Sequence, residues 1–313
     1  IAEKEETPSV KEKGKKIFKS LQKDFSNSLQ GVEDFANTFK KSNPELQKKL
    51  EASTNSLRQA NEKATRHIFN GQLDYNENQV GESLVDIFKG FNSSEEAKAF
   101  DDYMFHKHNI DRVAQDKPVF GEGVTAKDSE LISKELEKQY PDFVERAKRV
   151  RTYLDNLQKV RVDSGLISQG MKDELDDIYK NYVPTYRAKI KGATDSFGNT
   201  ISVKEQKAAK GSDKDLIPLR DQMAKLTQQT WQGAETNKLL KDIADAQQAQ
   251  KILADGGTIE DIIDSTTFLE KDNDKCYLKF FENGVPKRVE TSPEIYEALV
   301  SHNKNGFTDK EWF

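Results

Sequence analysis

From Ile17 the apolar residues fall at Ile17, Leu21, Phe25, Leu29, Val32, Phe35 or Ala36, and Phe39. Steps of three and four place them on one face of an α-helix, with charged and amide side chains on the other. Ser42, Asn43 and Pro44 interrupt the run. Pro44 suits the first turn of a new helix, where its missing N–H has no intrahelical partner to lose. Leu46, Leu50, Leu57, Ala60, Ala64 and Ile68 carry a weaker stripe to Asn70 and Gly71, so the pattern predicts two antiparallel helices joined at Asn43.

The segment from Gly71 to Ser93 is polar, with a short apolar patch at Leu84, Val85, Ile87 and Phe88 that predicts one or two helical turns. Ser93 or Ser94 before Glu95 and Glu96 reads as an N-cap with acids in the first turn. The helix it opens carries Phe100, Tyr103, Met104 and His108. After Gly121 and Gly123, Asp128 is placed to cap a helix through Leu131, Ile132, Leu136 and Tyr140. Pro141 starts a run of Phe143, Val144, Ala147, Val150, Leu154, Leu157 and Val160 that ends at Ser164 and Gly165. Ser168 caps a helix with Met171, Leu175, Ile178, Tyr179 and Tyr182 on its apolar side, and Val183-Pro184 is expected to end it, since a residue before proline is pushed out of the α region.

From Ala188 to Asp215 apolar content nearly vanishes, which reads as a mobile loop or junction. Pro218 opens a helix through Leu219, Met223, Leu226, Ala234, Leu240 and Ile243 to about Leu253, closed by Gly256-Gly257, with a short helix around Ile259 to Ile263 after it. The period then drops to two. Cys276 to Phe281 and Val285 to Glu290 are β-prone runs around Glu282-Asn283-Gly284, and Asn-Gly is a strong hairpin signal. Pro293 begins a last helix with Ile295, Leu299 and Val300. The fold class expected is mainly α, an extended array of helical hairpins with a small C-terminal β-hairpin. The divisions expected are a helical hairpin over residues 1–70, a helical domain over 71–187, a flexible basic loop over 188–215, and a long helix with hairpin and terminal helix over 216–313.

Composition narrows the classes. The 313 residues are 35% hydrophobic and 33% charged, and 49 Lys and Arg against 54 Asp and Glu leave a net charge of −5. Charge this mixed argues against a dedicated duplex-DNA binder, which carries a basic stripe. No run approaches the roughly 18 apolar residues of a membrane span, and the charged start, Ile1 to Val10, is unlike a signal peptide. A chain beginning without Met suggests a fragment. One cysteine, Cys276, can form neither an internal disulfide nor a multi-thiolate metal site, and in an alternating strand it reads as a small buried hydrophobe.

His106, His108 and Asp111 look like the start of a metal site, but helical residues two apart point about 200° apart. His108 and Asp111 fit one face, yet His67 and His302 are the only other histidines, so a capping or solvated role is favoured. Tyr182, Tyr186 and Arg187 form an aromatic and cationic cluster. It could contact nucleic acid or a partner by stacking, or be a chain reversal whose tyrosines pack on neighbouring helices, the favoured reading. Lys189 and Lys191, with Lys204, Lys207 and Lys210, could touch phosphates; Lys11, Lys13, Lys15, Lys16 and Lys19 are weakened by interspersed glutamates. Asp272, Asn273 and Asp274 lack the Gly and distant Glu of a calcium loop and read as a hydrophilic turn. Acid pairs such as Asp101-Asp102 and Asp176-Asp177 are expected by chance among 54 acids. No nucleophile elbow, phosphate loop, zinc-protease or dinucleotide motif is present. The residues therefore nominate no catalytic, cofactor or metal ligand set, and no cofactor is expected.

Taken in order, several segments resemble one family. They are Asp102-Tyr103 with the helix through Arg112, the stretch Ile178-Tyr179-Lys180-Asn181-Tyr182-Val183-Pro184-Thr185-Tyr186-Arg187, the helix ending in Ala234-x-x-Asn237, and the Phe281-Glu282-Asn283-Gly284 hairpin before a Pro-led helix. Together they resemble the large polyvalent protein-associated domains of bacteriophages and related mobile elements, over roughly Leu57 to Phe313, with Tyr182 to Arg187 the most specific piece and the Lys-rich loop after Arg187 without a counterpart. The resemblance implies a helical module of a very long phage polypeptide, packaged in the virion interior and delivered with the genome to the host cytoplasm or envelope. It implies partners among virion proteins or self-association and no catalytic residues; contact with a partner or with nucleic acid through Tyr182, Tyr186, Arg187, Lys189 and Lys191 is what the cluster and the basic loop themselves suggest. The rival expectations are a nuclease or glycan hydrolase with dispersed acids near Asp101, Asp102 and His106, and a nucleic-acid-binding module built on the basic loop.

Overall fold

The computed structural model describes residues 29–120, 123–185, 216–255, 269–272 and 275–305. Among them the chain is mainly helical with a small C-terminal β-hairpin. Its contacts group into two compact units that interleave in sequence. One draws on Ile1–Arg58, Leu239–Phe280 and Lys287–Phe313, the other on Gln59–Lys238 and Phe281–Pro286.

The first unit begins with α1 (Gln30–Asn37) and α2 (Pro44–Arg58), broken apart at Asn43 and Pro44 as the pattern predicts. Asn43 caps α2 by accepting Leu46 N through Oδ1 at 3.2 Å. The stripe buries Val32, Ala36, Phe39, Leu50 and Leu57. The same unit holds the C-terminal part of α9 (Leu219–Asp255), which buries Leu239, Leu240, Ile243 and Ala246. It also holds most of a three-stranded sheet ordered β3 (Leu269–Asp272), β4 (Lys275–Glu282), β5 (Val285–Thr291), and α10 (Pro293–Asn305). Cys276, Leu278 and Phe280 are buried at alternate positions along β4, with Lys279 between the last two buried as well. α10 lies against α1.

The second unit starts at α3 (Ala60–Phe69). Where one helix is expected from Leu46 to Ile68, the chain breaks at Gln59, between the two units; the apolar stripe continues across the break, so the pattern alone does not show it. Gln72–Leu73 (β1) and Gln79–Gly81 (β2) pair as a short antiparallel ribbon too brief to leave an alternation. The single turn α4 (Leu84–Ile87) is capped by Ser83, whose hydroxyl accepts Asp86 N at 3.0 Å. Ser93 caps α5 (Ser94–Val113) in the same way. In α6 (Ala126–Gln139) the cap is Thr125 rather than Asp128. Asp128 is the third residue of a capping box, its carboxylate accepting Thr125 N while its own N–H donates to Thr125 Oγ1, and a threonine with an acid three residues on satisfies both orphan donors.

α7 (Phe143–Asp163) and α8 (Gln169–Ile178) follow. α8 ends at Tyr179 instead of Val183-Pro184, and Met171 on its expected inner side is 44% exposed. Its termination is tertiary: Arg151 draws on the carbonyls of Tyr179 and Lys180. The core gathers Phe100, Tyr103, Phe143, Val150, Tyr153, Leu157, Met223 and Leu226. Phe143 stacks on Tyr140 at 4.7 Å and meets Phe100 edge-on at 5.1 Å. Arg146 lies 4.1 Å over the Phe91 ring while donating to the carbonyls of Ile87 and Lys89, which fixes α4 to α7. The short helix expected around Ile259 to Ile263 and the basic loop lie outside the described residues.

Candidate functional site

The face of α5 that carries His108, Asp111 and Arg112 receives the segment after α8. Residues three and four apart share a helix face, so these three side chains point the same way. The Asp111 carboxylate accepts Asn181 N at 2.6 Å and Asn181 Nδ2 at 3.2 Å. Arg112 donates to Lys117 O at 2.6 Å and lies 6.0 Å over the Tyr179 ring. His108 meets Tyr179 and Tyr182 edge-on, at 5.9 and 5.6 Å, and Val183 beside them is fully buried. Burial, with Arg112 adding to it, pushes the His108 imidazole down to about 3, so the ring is neutral. Burial raises the Tyr182 phenol, with Arg161 and Arg112 pulling the other way. Tyr182 is thus the one sequence-nominated contact residue with a described place, half-buried between α5 and α7. Tyr186, Arg187, Lys189 and Lys191 lie outside the described residues.

The acids and histidine of the hydrolase reading do not converge. Asp101 accepts Leu219 N at 3.1 Å and so caps α9, whose preceding residue Pro218 has no side-chain acceptor. Burial raises its carboxyl to about 7, with Asp102 and Asp221 adding and the Leu219 N–H and Arg220 opposing. Asp102 projects 100° away on the same helix and is exposed. His106 turns from His108, as helix geometry requires. Its Nδ1 pairs with Ser129 Oγ at 3.1 Å and its ring lies 4.4 Å from Phe120. Ser129 also accepts Asn109 Nδ2 at 2.9 Å, and with Ser133 it is all that α6 fully buries. Among the described residues no group of three or more His, Cys, Asp or Glu could hold a metal ion, and none of their helices is long and apolar enough to cross a membrane.

A second polar centre joins α3 to α9. Lys63 Nζ bonds Glu235 Oε1 at 2.7 Å and Glu77 Oε1 at 3.0 Å, with Lys63 and Glu235 almost wholly buried. One turn along, His67 Nδ1 accepts Leu73 N at 3.1 Å and Trp231 Nε1 at 3.3 Å. These two donors place the imidazole proton on Nε2, and burial lowers its pKa to about 3. Tyr153 and Thr227 share a buried hydroxyl contact at 2.7 Å. The signal was present in the spacing. Lys63 and His67 are four apart, as are Thr227, Trp231 and Glu235, so two helices carry matching polar ladders, each of which reads as a solvated face when taken alone.

The third polar centre seats the turn of the β4–β5 hairpin. Asn237 Oδ1 accepts Phe281 N at 2.6 Å, and its Nδ2 donates to Phe281 O at 2.9 Å and Ser164 O at 3.0 Å. The side-chain amide thereby stands in for a neighbouring peptide. Gly284 N donates to Gly165 O at 3.0 Å. In the first unit, Glu33, Asn37, Glu51 and Asn55 line an open groove of about 200 Å³, below the roughly 300–1,000 Å³ of small-molecule sites, and Arg58 already pairs with Glu33 at 2.6 Å. These are centres of packing that spend most of their polar atoms on the fold itself, although His67 Nε2, His108 Nδ1 and Glu235 Oε2 are buried without a hydrogen-bond partner among the described residues. No protein-family model, curated protein or solved structure matches the chain.

Proposed function

We propose that the chain is a non-catalytic helical module of a large phage polyvalent protein, packaged in the virion, delivered with the genome, and acting through contacts with other virion proteins or with itself. The observation that supports this reading most is the use made of the residues that carry the resemblance. Asp111 anchors Asn181, Tyr182 packs on α5, Val183 is buried in the core, and Asn237 grips Phe281. Residues within the segments that carry the resemblance thus serve to join parts of one fold, as expected of a module whose product is its shape. Asp101 serves as a helix cap and His106 is held by Ser129, which counts against an acid-and-histidine active site there.

The test is proteomic. Nuclease-treated, DNA-filled particles induced from the source strain should contain peptides of this chain, and particles emptied by ejection should be depleted of them. Absence from filled particles overturns the virion assignment. Turnover of nucleic acid or peptidoglycan by the purified chain, abolished by one acidic substitution, overturns the non-catalytic one.

A further inference from the structure

Asn283 and Gly284 form the turn between β4 and β5, both with left-handed backbones at φ 49° and 78°. Asn283 is exposed. Gly284 is pressed against neighbouring backbone, since a Cβ placed on it would lie 2.8 Å from Ser168 N and 3.3 Å from Ile167 C. Its N–H is held by Gly165 O, and the strand entering the turn is held at Phe281 by Asn237. An asparagine before a glycine is prone to attack by the following backbone nitrogen on its side-chain amide carbon, because glycine neither obstructs the approach nor restrains the backbone rotation it needs. Attack requires the nitrogen to give up its proton and swing over that carbon. The hydrogen bond to Gly165 opposes the first and the seated left-handed turn opposes the second.

We propose that Asn283 is a site of spontaneous deamidation that the seated hairpin tip suppresses and that opening of the tip releases. Gly284 N loses its proton to solvent base and bonds to Asn283 Cγ. The bond from Cγ to the side-chain nitrogen breaks, ammonia leaves, and a five-membered succinimide closes. Water then adds to either ring carbonyl, opening it to aspartate or isoaspartate, with no change in oxidation state. Isoaspartate inserts an extra methylene into the main chain next to Gly284, where the backbone of Ile167 and Ser168 leaves no slack. The modified tip therefore cannot restore the Gly284–Gly165 bond in its original geometry, and opening is recorded irreversibly.

The full chain is aged at neutral pH in buffer and in strong urea, and aspartate and isoaspartate at position 283 are read by peptide mapping. Conversion in buffer should be at least about tenfold slower than in urea, the factor that a local opening cost of about 1.4 kcal/mol already yields. Equal rates overturn the proposal. Asn237→Ala should accelerate conversion at Asn283 in buffer. It should leave Asn70 unchanged, because the Gly71 N–H after it is tied to Arg66 O within its own helix end. A folded Asn237→Ala chain that converts at the wild-type rate overturns the role of the seat. Should that variant not fold, wild type in urea below its unfolding midpoint decides the matter: conversion that rises before global unfolding supports local release, and conversion that rises only with it overturns it.

Discussion

His67 and His108 are imidazoles closed into the second unit, both held near 3 by burial. An unfolded histidine protonates near 6.5, so each ring contributes stability that is intact above that value. The contribution is lost as pH falls toward 3, on the order of 3 kcal/mol per ring by pH 4. Asp101 acts in the opposite sense. Its folded carboxyl, near 7, takes a proton well before the unfolded one near 3.8, so the cost of its buried charge is present above 7 and is relieved as pH falls. Replacing Asp101 with Asn keeps an acceptor for Leu219 N and removes the charge. Asp101→Asn should therefore raise the urea midpoint at pH 8 and raise it by less than half as much at pH 5, because the cost fades fully only below the unfolded value near 3.8, whereas a fall at pH 8 would mean that attraction between the carboxylate and the α9 N-terminus outweighs desolvation.

Gly31 shows what decides the fit of one helix on another. A Cβ there would approach Glu294 O to 3.0 Å and Ala298 Cβ to 3.1 Å, so α1 and α10 approach through an absent side chain. Gly31→Leu should cost about 1–3 kcal/mol by overpacking, read by chemical denaturation, and Ala298→Gly should recover part of that loss. In the sequence Gly31 is only a polar-face gap in a good stripe, and α10 lies more than 250 residues away. The same division runs through the fold. α1, α2, α5, α7, α9, α10 and the hairpin were legible because each follows local periodicity, helped at some ends by local signals such as Ser93, Asn43 and Asn283-Gly284. The break at Gln59, the early end of α8 and the strands β1 to β3 were not, because they are fixed by distant partners such as Arg151 or by pairings too short to pattern. At the polar centres, Tyr182 and the Asp111 face are legible from side-chain chemistry, while the Lys63–Glu235 and His67–Trp231 pairs exist only once two helices lie side by side.

At the scale of the molecule, a chain grouped into two compact units is expected to unfold in more than one step. Scanning calorimetry should give a calorimetric enthalpy larger than the van't Hoff value; agreement between them would mean that α9, continuous through residues of both units, makes them melt as one. The interleaving also orders events in time. α1 and α2 complete their unit only with segments starting at Leu239, 181 residues beyond Arg58. At about 5–20 residues per second of synthesis, the apolar faces of those helices leave the ribosome roughly 9–36 s before the chain that will cover them, an interval in which a nascent-chain chaperone has a ready-made client and premature termination before Leu239 leaves a sticky remnant.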